Sequence, residues 1–543
     1  MPLDSPITLP AWAALNDLAA RMQGPEHHLR RLLEAPGRLE AFSVAGGGLF
    51  YDYSRQRVIP AVMDALFDLA SQRDLVGSFR RMVSGEIVNT TEGRAALHTA
   101  ARRLDQTPVR VSGRDVMPEI RAVREQIREF ATAVHAGRIT GSTGKPFRDI
   151  VVVGIGGSYL GAAFAAHALA EDARPGMRLH FLANVDIHNF GRVVAAIDPE
   201  ATLWVVISKS YTTTETMANA LQAEHFMRAK GLDPARHTVT VTAKGSPGDD
   251  PARPVLAAFH MFDFIGGRYS VTSAVGGVPL SLYLGYERFE ALLMGAAEMD
   301  QHAAEAPAEE NLPLLAALLT VWNTNFLGYP AMGIIPYAEP LARLPAHVQQ
   351  LNMESNGKSV DLEGRFLAVS TGPIIFGEPG TCAQHSFFQL AHQGRPFPIE
   401  FIGVVQPRYS MQDKARHKDV TNHQELWANL VAQSRALAVG KPEGTPERRF
   451  EGNRPSSTLL MEDLGAINVG RLLSFYEART VFEAFVWGIN PFDQFGVELG
   501  KTMAAGLRRA LADQNAGRPL PDDLDPIARF YLRTLAGGRW DQI

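Results

Sequence analysis

Two turns rich in glycine and hydroxyl residues carry the clearest chemical signal. Residues 154–161 read GIGGSYLG and follow the apolar run DIVVV. Closely spaced glycines let a backbone approach an anion, and the helix that follows offers free N–H groups and the positive end of its dipole. Ser158 adds a hydroxyl where a phosphate would sit. The turn is not the dinucleotide fingerprint, whose third glycine would fall at Tyr159. The run SKSYTTT, 208–214, repeats the arrangement after TLWVVI, with six hydroxyls in seven positions and Lys209 among them. A dianionic phosphate needs several donors and no carboxylate close by, which this run supplies before Glu215. Helix capping alone would use only one or two of these hydroxyls.

Four further segments hold groups that could do acid–base work. In DFIGGRYSVTSAVGG, Arg268 follows two glycines and could reach a ligand carbonyl or enolate oxygen, or equally be a surface turn arginine. QQLNMESNGKS places Glu354 in what reads as a polar loop, where a lone glutamate is usually solvated. GEPGTCAQHSFFQLAHQG reads as a helix from about Thr381 to Gln393 closed by Gly394. Thr381 and Gln384 have capping-box spacing, which puts His385 in the first or second turn. Cys382 reads as a small packing residue, with no orienting partner to make a thiol–imidazole pair. In NPFDQFGVELGK a helix is expected from Pro491 or Phe492, with Lys501 in its middle and on the same face as Gln494. Neither Gly357-Lys358-Ser359 nor Gly500-Lys501-Thr502 is a nucleotide P-loop, since Asn352 and Phe495 stand where the first glycine is required.

The elements that must position these groups follow from the pattern of apolar residues. The first hundred residues are mainly helical, as in AWAALNDLAARMQ and RVIPAVMDALFDLASQR, with LFYDYS as a short strand. After the turn-rich GRITGSTGKP, strands DIVVV, LHFLAN, TLWVVIS and HTVTVTA alternate with helices, the pattern of βαβ units and a parallel sheet. A second alternating region, with FLAVST and PIEFIGVV as strands, follows Gly285, and the residues after Asn515 read as an extended arm. The chain is 543 residues long and 46% hydrophobic, enough for a large core without disulfides. Its 53 basic and 58 acidic residues give a net charge of −5, which argues against a general nucleic-acid binder. One cysteine excludes an internal disulfide and a CxxC zinc site. The N-terminus lacks a basic signal-peptide region, and no apolar run reaches the roughly 18 residues of a membrane span. A soluble cytoplasmic enzyme is the expectation.

Taken together, GIGGS, SKSYTT, IGGRYSVTSAVG, QQLNMESNGK, GEPGTCAQHSFFQLAHQG and FDQFGVELGK resemble the glucose-6-phosphate isomerase (phosphoglucose isomerase) family, in order and over nearly the whole chain. The resemblance implies two sugar-isomerase-type (SIS) α/β/α sandwich domains with parallel-rich sheets. It implies an N-terminal helical region at 1–115, a small domain at 116–285, a large domain at 286–510 and a C-terminal arm at 511–543. It also implies a homodimer with shared active sites and a sugar phosphate substrate. Gly157, Ser158, Ser208, Lys209, Ser210 and Thr213 would line the phosphate site. Glu354 would be the base between C1 and C2, with Gly267 and Arg268 facing the enediolate and Gln350 and Gln494 positioning the sugar. His385, donated across the dimer, and Lys501 would handle ring opening. The chain departs from the usual pattern at Ser210 (Thr is common), at Cys382 and Ala383 (Asn and Gly), at Asn352 (Asp), and at Pro491 and Phe495 (Ser and Trp).

The chemistry of aldose–ketose isomerisation accounts for such a set. A proton α to a carbonyl must be taken, held and returned, and a partly buried carboxylate suits that task. A prepositioned guanidinium stabilises the enediolate more than the ground state. Imidazole can shuttle protons during ring opening at neutral pH. No step calls for a metal or a redox cofactor. A non-catalytic sugar-phosphate sensor built on the same modules is the alternative expectation, disfavoured by the presence of Glu354, His385, Arg268 and Lys501 together. A nicotinamide dehydrogenase is disfavoured by Tyr159 in the glycine turn.

Overall fold

A computed structural model describes residues 5–540, which divide at Phe492/Asp493 into two compact units. In the first unit, helices Pro10–Arg21 and Pro60–Gln72 each open on a proline, whose missing N–H costs nothing at that position. Between them lies a hairpin, β1 (Ser43–Gly46) and β2 (Leu49–Asp52).

The first sheet comprises β3 (Asp149–Val153), β4 (Arg178–Leu182), β5 (Thr202–Ile207), β6 (Thr238–Ala243) and β7 (Ala257–Met261). Its order is β4-β3-β5-β6-β7 and every neighbouring pair is parallel. β3 and β5 are buried at every residue, as valine-rich runs covered on both faces must be. From β3 the chain steps to one side for β4 and to the other for β5. Open α/β sheets take ligands at such a reversal, outside the C-terminal strand ends. GIGGS follows β3 and SKSYTT follows β5, so both anion-type turns open at this one place.

The second sheet repeats the reversal. β8 (Ala331–Tyr337), β9 (Ile374–Phe376), β10 (Ile399–Val404) and β11 (Ser456–Met461) are parallel, and β2 adds the hairpin antiparallel to β11, giving β1-β2-β11-β10-β8-β9. FLAVST is not a strand, contrary to its apolar pattern. Phe366 makes only an isolated bridge to Val360 and is 87% exposed, while Leu367 and Val369 tuck singly against the core. The positive φ of Gly372 then turns the chain, and the strand forms beyond it.

Helix Ala466–Trp487 runs through the interior, packed against Tyr286–Glu305 and Leu312–Val321. Its buried charges are paired: Glu477 with Arg102, and Arg479 with Glu400 and Glu483. Helix Leu312–Val321 is buried at all its residues, and no helix among the described residues is long and apolar enough to cross a membrane.

The second unit holds a short turn at Phe495–Val497 and helices Glu498–Asn515 and Pro526–Gly537. Lys501 therefore lies in the first turn of its helix, not the middle, and Gln494 precedes that helix and shares no face of it. Just before the expected start, the Asn490 side chain accepts from the Phe492 N–H at 2.9 Å, a local turn that competes with helix. The stretch read as an extended arm contains the helix Pro526–Gly537, capped by the Asp525 side chain.

Candidate active site

The turn after β3 is a tight one, Gly156–Ser158, leading into helix Leu160–Ala168. Gly156 has φ +59°, a conformation that L side chains rarely adopt. A Cβ on Gly157 would lie 2.2 Å from the carbonyl carbon of Gly267. The GIGG and IGGR turns therefore touch backbone to backbone. The Ser270 hydroxyl, bonded to the carbonyls of Gly267 (2.6 Å) and Gly157 (3.3 Å), ties them together. Gly157→Ala is expected to lower stability by about 1–3 kcal/mol through overpacking, and to impair turnover by forcing the turns apart. Denaturant unfolding and a steady-state assay of that variant check both effects.

In the segment after β5, Ser208 is buried and its hydroxyl donates to that of Thr213 at 3.3 Å. Ser210 and Thr212 hydroxyls bond each other at 2.6 Å. Thr213 occupies the N-cap of helix Thr214–Ala229 yet makes no capping bond with its side chain, so capping does not account for it. The Lys209 ammonium donates to the Asp263 carbonyl at 3.1 Å and lies 3.3 Å from its carboxylate, linking this segment to the loop before Arg268. Burial pushes the Lys209 pKa down, opposed by Asp263.

Glu354 does not sit in a loop. Helix Leu344–Val348 passes into a π-helical turn, Gln349–Glu354, a rare insertion that recurs at functional sites. Gln350 Nε2 donates to Glu354 Oε2 at 2.9 Å, and the same amide lies 3.2 Å from where a Gly156 Cβ would be. Gln350 thus bridges the glycine turn and the carboxylate. Arg268 is 3% exposed, with Nε donating to the Ser355 hydroxyl (2.6 Å) and Nη2 to the Pro491 carbonyl (2.5 Å). Its Nη1 stands 3.7 Å from Glu354 Oε2. The structure therefore gathers Gly157, Gly267, Arg268, Gln350 and Glu354, far apart in sequence, around one spot beside the switch point of the first sheet.

Two residues of this cluster escaped sequence reasoning. Ser355 accepts from Arg268 and contacts the Tyr269 hydroxyl at 3.0 Å. Tyr269 is buried, which pushes its phenol up to about 12 and keeps it neutral. Their only signal was adjacency, Ser355 to Glu354 and Tyr269 to Arg268.

The other candidates stand on other elements. His385 is exposed at the end of a short helix, Gly380–Gln384, and the chain re-enters helix only at Phe388–Gln393. The Thr381–Gln384 capping box does not form: Pro379 is the N-cap, and Gln384 instead accepts from Tyr337 and donates to Asn429. His385 makes no hydrogen bond to Glu354. Gln494 and Lys501 belong to the second unit, where Lys501 is exposed.

The site is thus a parallel α/β sheet with two glycine- and hydroxyl-rich turns at its switch point, beside a carboxylate facing a buried guanidinium. The phosphoglucose isomerase profile matches residues 52–519, and the chain belongs to that family. It is 62% identical over 535 residues to the glucose-6-phosphate isomerase of Desulfosudis oleivorans, covering 97% of this chain and 98% of the relative. It is 43% identical to the cytosolic glucose-6-phosphate isomerase of Arabidopsis thaliana, covering 93% and 94%. The crystal structure of a glucose-6-phosphate isomerase from Chlamydia trachomatis superimposes with a TM-score of 0.89 at 38% identity, over 99% of this chain and all of that one.

Proposed function

We propose that this cluster is the active site at which the chain, an aldose–ketose isomerase, interconverts glucose 6-phosphate and fructose 6-phosphate through a cis-enediolate. The observation that carries the assignment is the Glu354 carboxylate set 3.7 Å from the buried Arg268 guanidinium and bonded to Gln350 over the GIGG turn. Ser158, the Gly157 backbone, Ser208, Lys209, Ser210 and Thr213 hold the phosphate, whose binding energy keeps C1 and C2 against the base. Glu354 takes the proton from C2 of the open-chain aldose, or from C1 of the ketose, and returns it to the neighbouring carbon. Negative charge then grows on the two oxygens, where Arg268 meets it with the Gly267 backbone alongside. Gln350 and Gln494 orient the sugar.

Ring opening precedes this step and falls to His385 and Lys501. The family resemblance implies a homodimer with shared active sites, and the exposure of His385 at the end of helix Gly380–Gln384 leaves it accessible to the site of a second copy. We further propose a division at 285/286 between a small and a large domain, supported by the separation of the parallel strands into two sheets, 149–261 and 331–461, the second extended by the antiparallel hairpin 43–52. A cytoplasmic setting is supported by the cytosolic designation of the Arabidopsis relative.

Formation of glucose 6-phosphate from fructose 6-phosphate by the purified protein tests the assignment, and absence of conversion by folded protein overturns it. Lys209→Ala is expected to raise KM with little change in kcat. Since burial lowers the Lys209 pKa, its charge is lost at a lower pH than that of an ordinary lysine, and KM rises there. In Lys209→Arg that alkaline rise disappears, because a guanidinium stays charged. Steady-state profiles across pH 7 to 10 for the three proteins check this.

A further inference from the structure

The π-turn that presents Glu354 is anchored from below by one buried carboxylate. Asn352 and Asn356 flank Glu354 two residues before and two residues after it, and both are buried. Their side-chain amides donate to the same oxygen, Oε2 of Glu483, at 2.6 and 2.9 Å. Glu483 is fully buried on helix Ala466–Trp487, and its other oxygen accepts from Arg479 Nε at 3.0 Å. Arg479 is itself fixed by Glu400, at 3.0 and 3.1 Å, and by the Thr320 hydroxyl at 2.6 Å. Glu400 is held in turn by the Tyr476 hydroxyl at 2.5 Å. A chain of hydrogen bonds thus runs from the interior of the second sheet to both sides of Glu354.

The chemistry of that chain fixes which residue types it accepts. Arg479 already faces two carboxylates, Glu400 and Glu483. A third carboxylate at position 352 would stand against Glu483 at hydrogen-bond distance, where buried like charges repel strongly and the pair can bond only if one of them takes up a proton. An amide there supplies the missing donor. The asparagine at 352, where aspartate is common in the resembling family, is therefore matched to a carboxylate at 483.

We propose that Glu483 is a positioning residue for the reaction, and that Asn352 and Glu483 form an interlocked donor–acceptor pair setting the aim of Glu354. This rests on the reading of Glu354 as the base. The pair touches no substrate. It holds the π-turn, so its loss misplaces the carboxylate relative to Arg268, and a displacement on the order of 1 Å at a reacting centre can cost about 100-fold in rate.

The test is a swap. Asn352→Asp is expected to lower kcat by about 100-fold with KM for fructose 6-phosphate changed less than about 3-fold, because the phosphate turns are untouched. The double variant Asn352→Asp, Glu483→Gln reverses the polarity of the bond. The introduced glutamine amide then donates to the introduced aspartate, and its carbonyl still accepts from Arg479, while Asn356 keeps the Thr480 carbonyl it already shares at 3.2 Å. The double variant is expected to recover kcat to within about 10-fold of the parent. A purely structural role would show equal losses of melting temperature and active fraction, with no kcat change per folded site and no rescue, and would overturn the proposal. So would parental kcat in Asn352→Asp. Should Asn352→Asp fail to fold, the folded double variant decides alone: kcat near the parent supports the pair, and kcat as low as that of Glu354→Gln refutes it. Glu354→Gln measured alongside separates the two readings, since activity in that variant removes the base assignment, whereas its inactivity beside a fully active Asn352→Asp removes only the pair.

Discussion

Glu354→Gln lowers kcat by about 10²–10⁴-fold while leaving KM for fructose 6-phosphate nearly unchanged. Glutamine keeps the size of the side chain and an oxygen that can accept from Gln350, whose bond to Glu354 is 2.9 Å long. It cannot take up a proton from carbon. The loss therefore falls on the step at which C–H breaks, and at 1.36 kcal/mol per tenfold it corresponds to about 3–5 kcal/mol of barrier. Fold and phosphate contacts persist, because Glu354 is partly exposed and bonds to neither phosphate turn residue. Melting temperature and the stabilisation given by fructose 6-phosphate should match the parent. A folded glutamine variant with parental kcat would remove Glu354 from the mechanism.

Arg268→Lys has the second largest expected effect, a fall in kcat of about 10²–10³-fold. A lysine preserves the positive charge but not the fork. Arg268 uses Nε for Ser355 and Nη2 for the Pro491 carbonyl while Nη1 faces Glu354. One ammonium on a flexible stem cannot hold these anchors and also meet an enediolate at a fixed point. The buried partners left behind cost about 1–3 kcal/mol each, so a lower unfolding midpoint accompanies the kinetic loss. The two are separable, since kcat per folded site should still fall in conditions where the variant is fully folded. Retention of kcat within about threefold would show that the guanidinium geometry is not what stabilises the intermediate.

Much of the first sheet was legible because burial on both faces leaves a simple trace. DIVVV and TLWVVI become fully buried strands, and the glycines and hydroxyls after them have no role in a strand or helix interior. The strand order that sets both turns at one reversal is not written locally, since it depends on which strand pairs with which. Glu354 was misread for a related reason. Its π-turn is maintained by Glu483, on a helix more than a hundred residues away, and the polar run QQLNMESNGK taken alone looks like a loop. FLAVST misled in the other direction, its apolar residues packing one at a time with no partner strand. The break of helix at His385 and the late start of the helix carrying Lys501 both depart from the spacing. Neither is written in the periodicity: Gln384, which the spacing reads as a capping partner, bonds instead to the distant Tyr337 and Asn429, and Asn490 accepts from the Phe492 N–H, a local turn that competes with regular helix.

The most direct measurement is proton NMR of fructose 6-phosphate in D₂O with the parent protein and with Glu354→Gln. Glucose 6-phosphate carrying partial deuterium at C2 should form with the parent and be almost absent with the variant, as transfer by a single carboxylate that exchanges its proton with solvent requires. Conversion at equal rates by the two proteins, or none by the folded parent, would contradict proton transfer by Glu354 at this site.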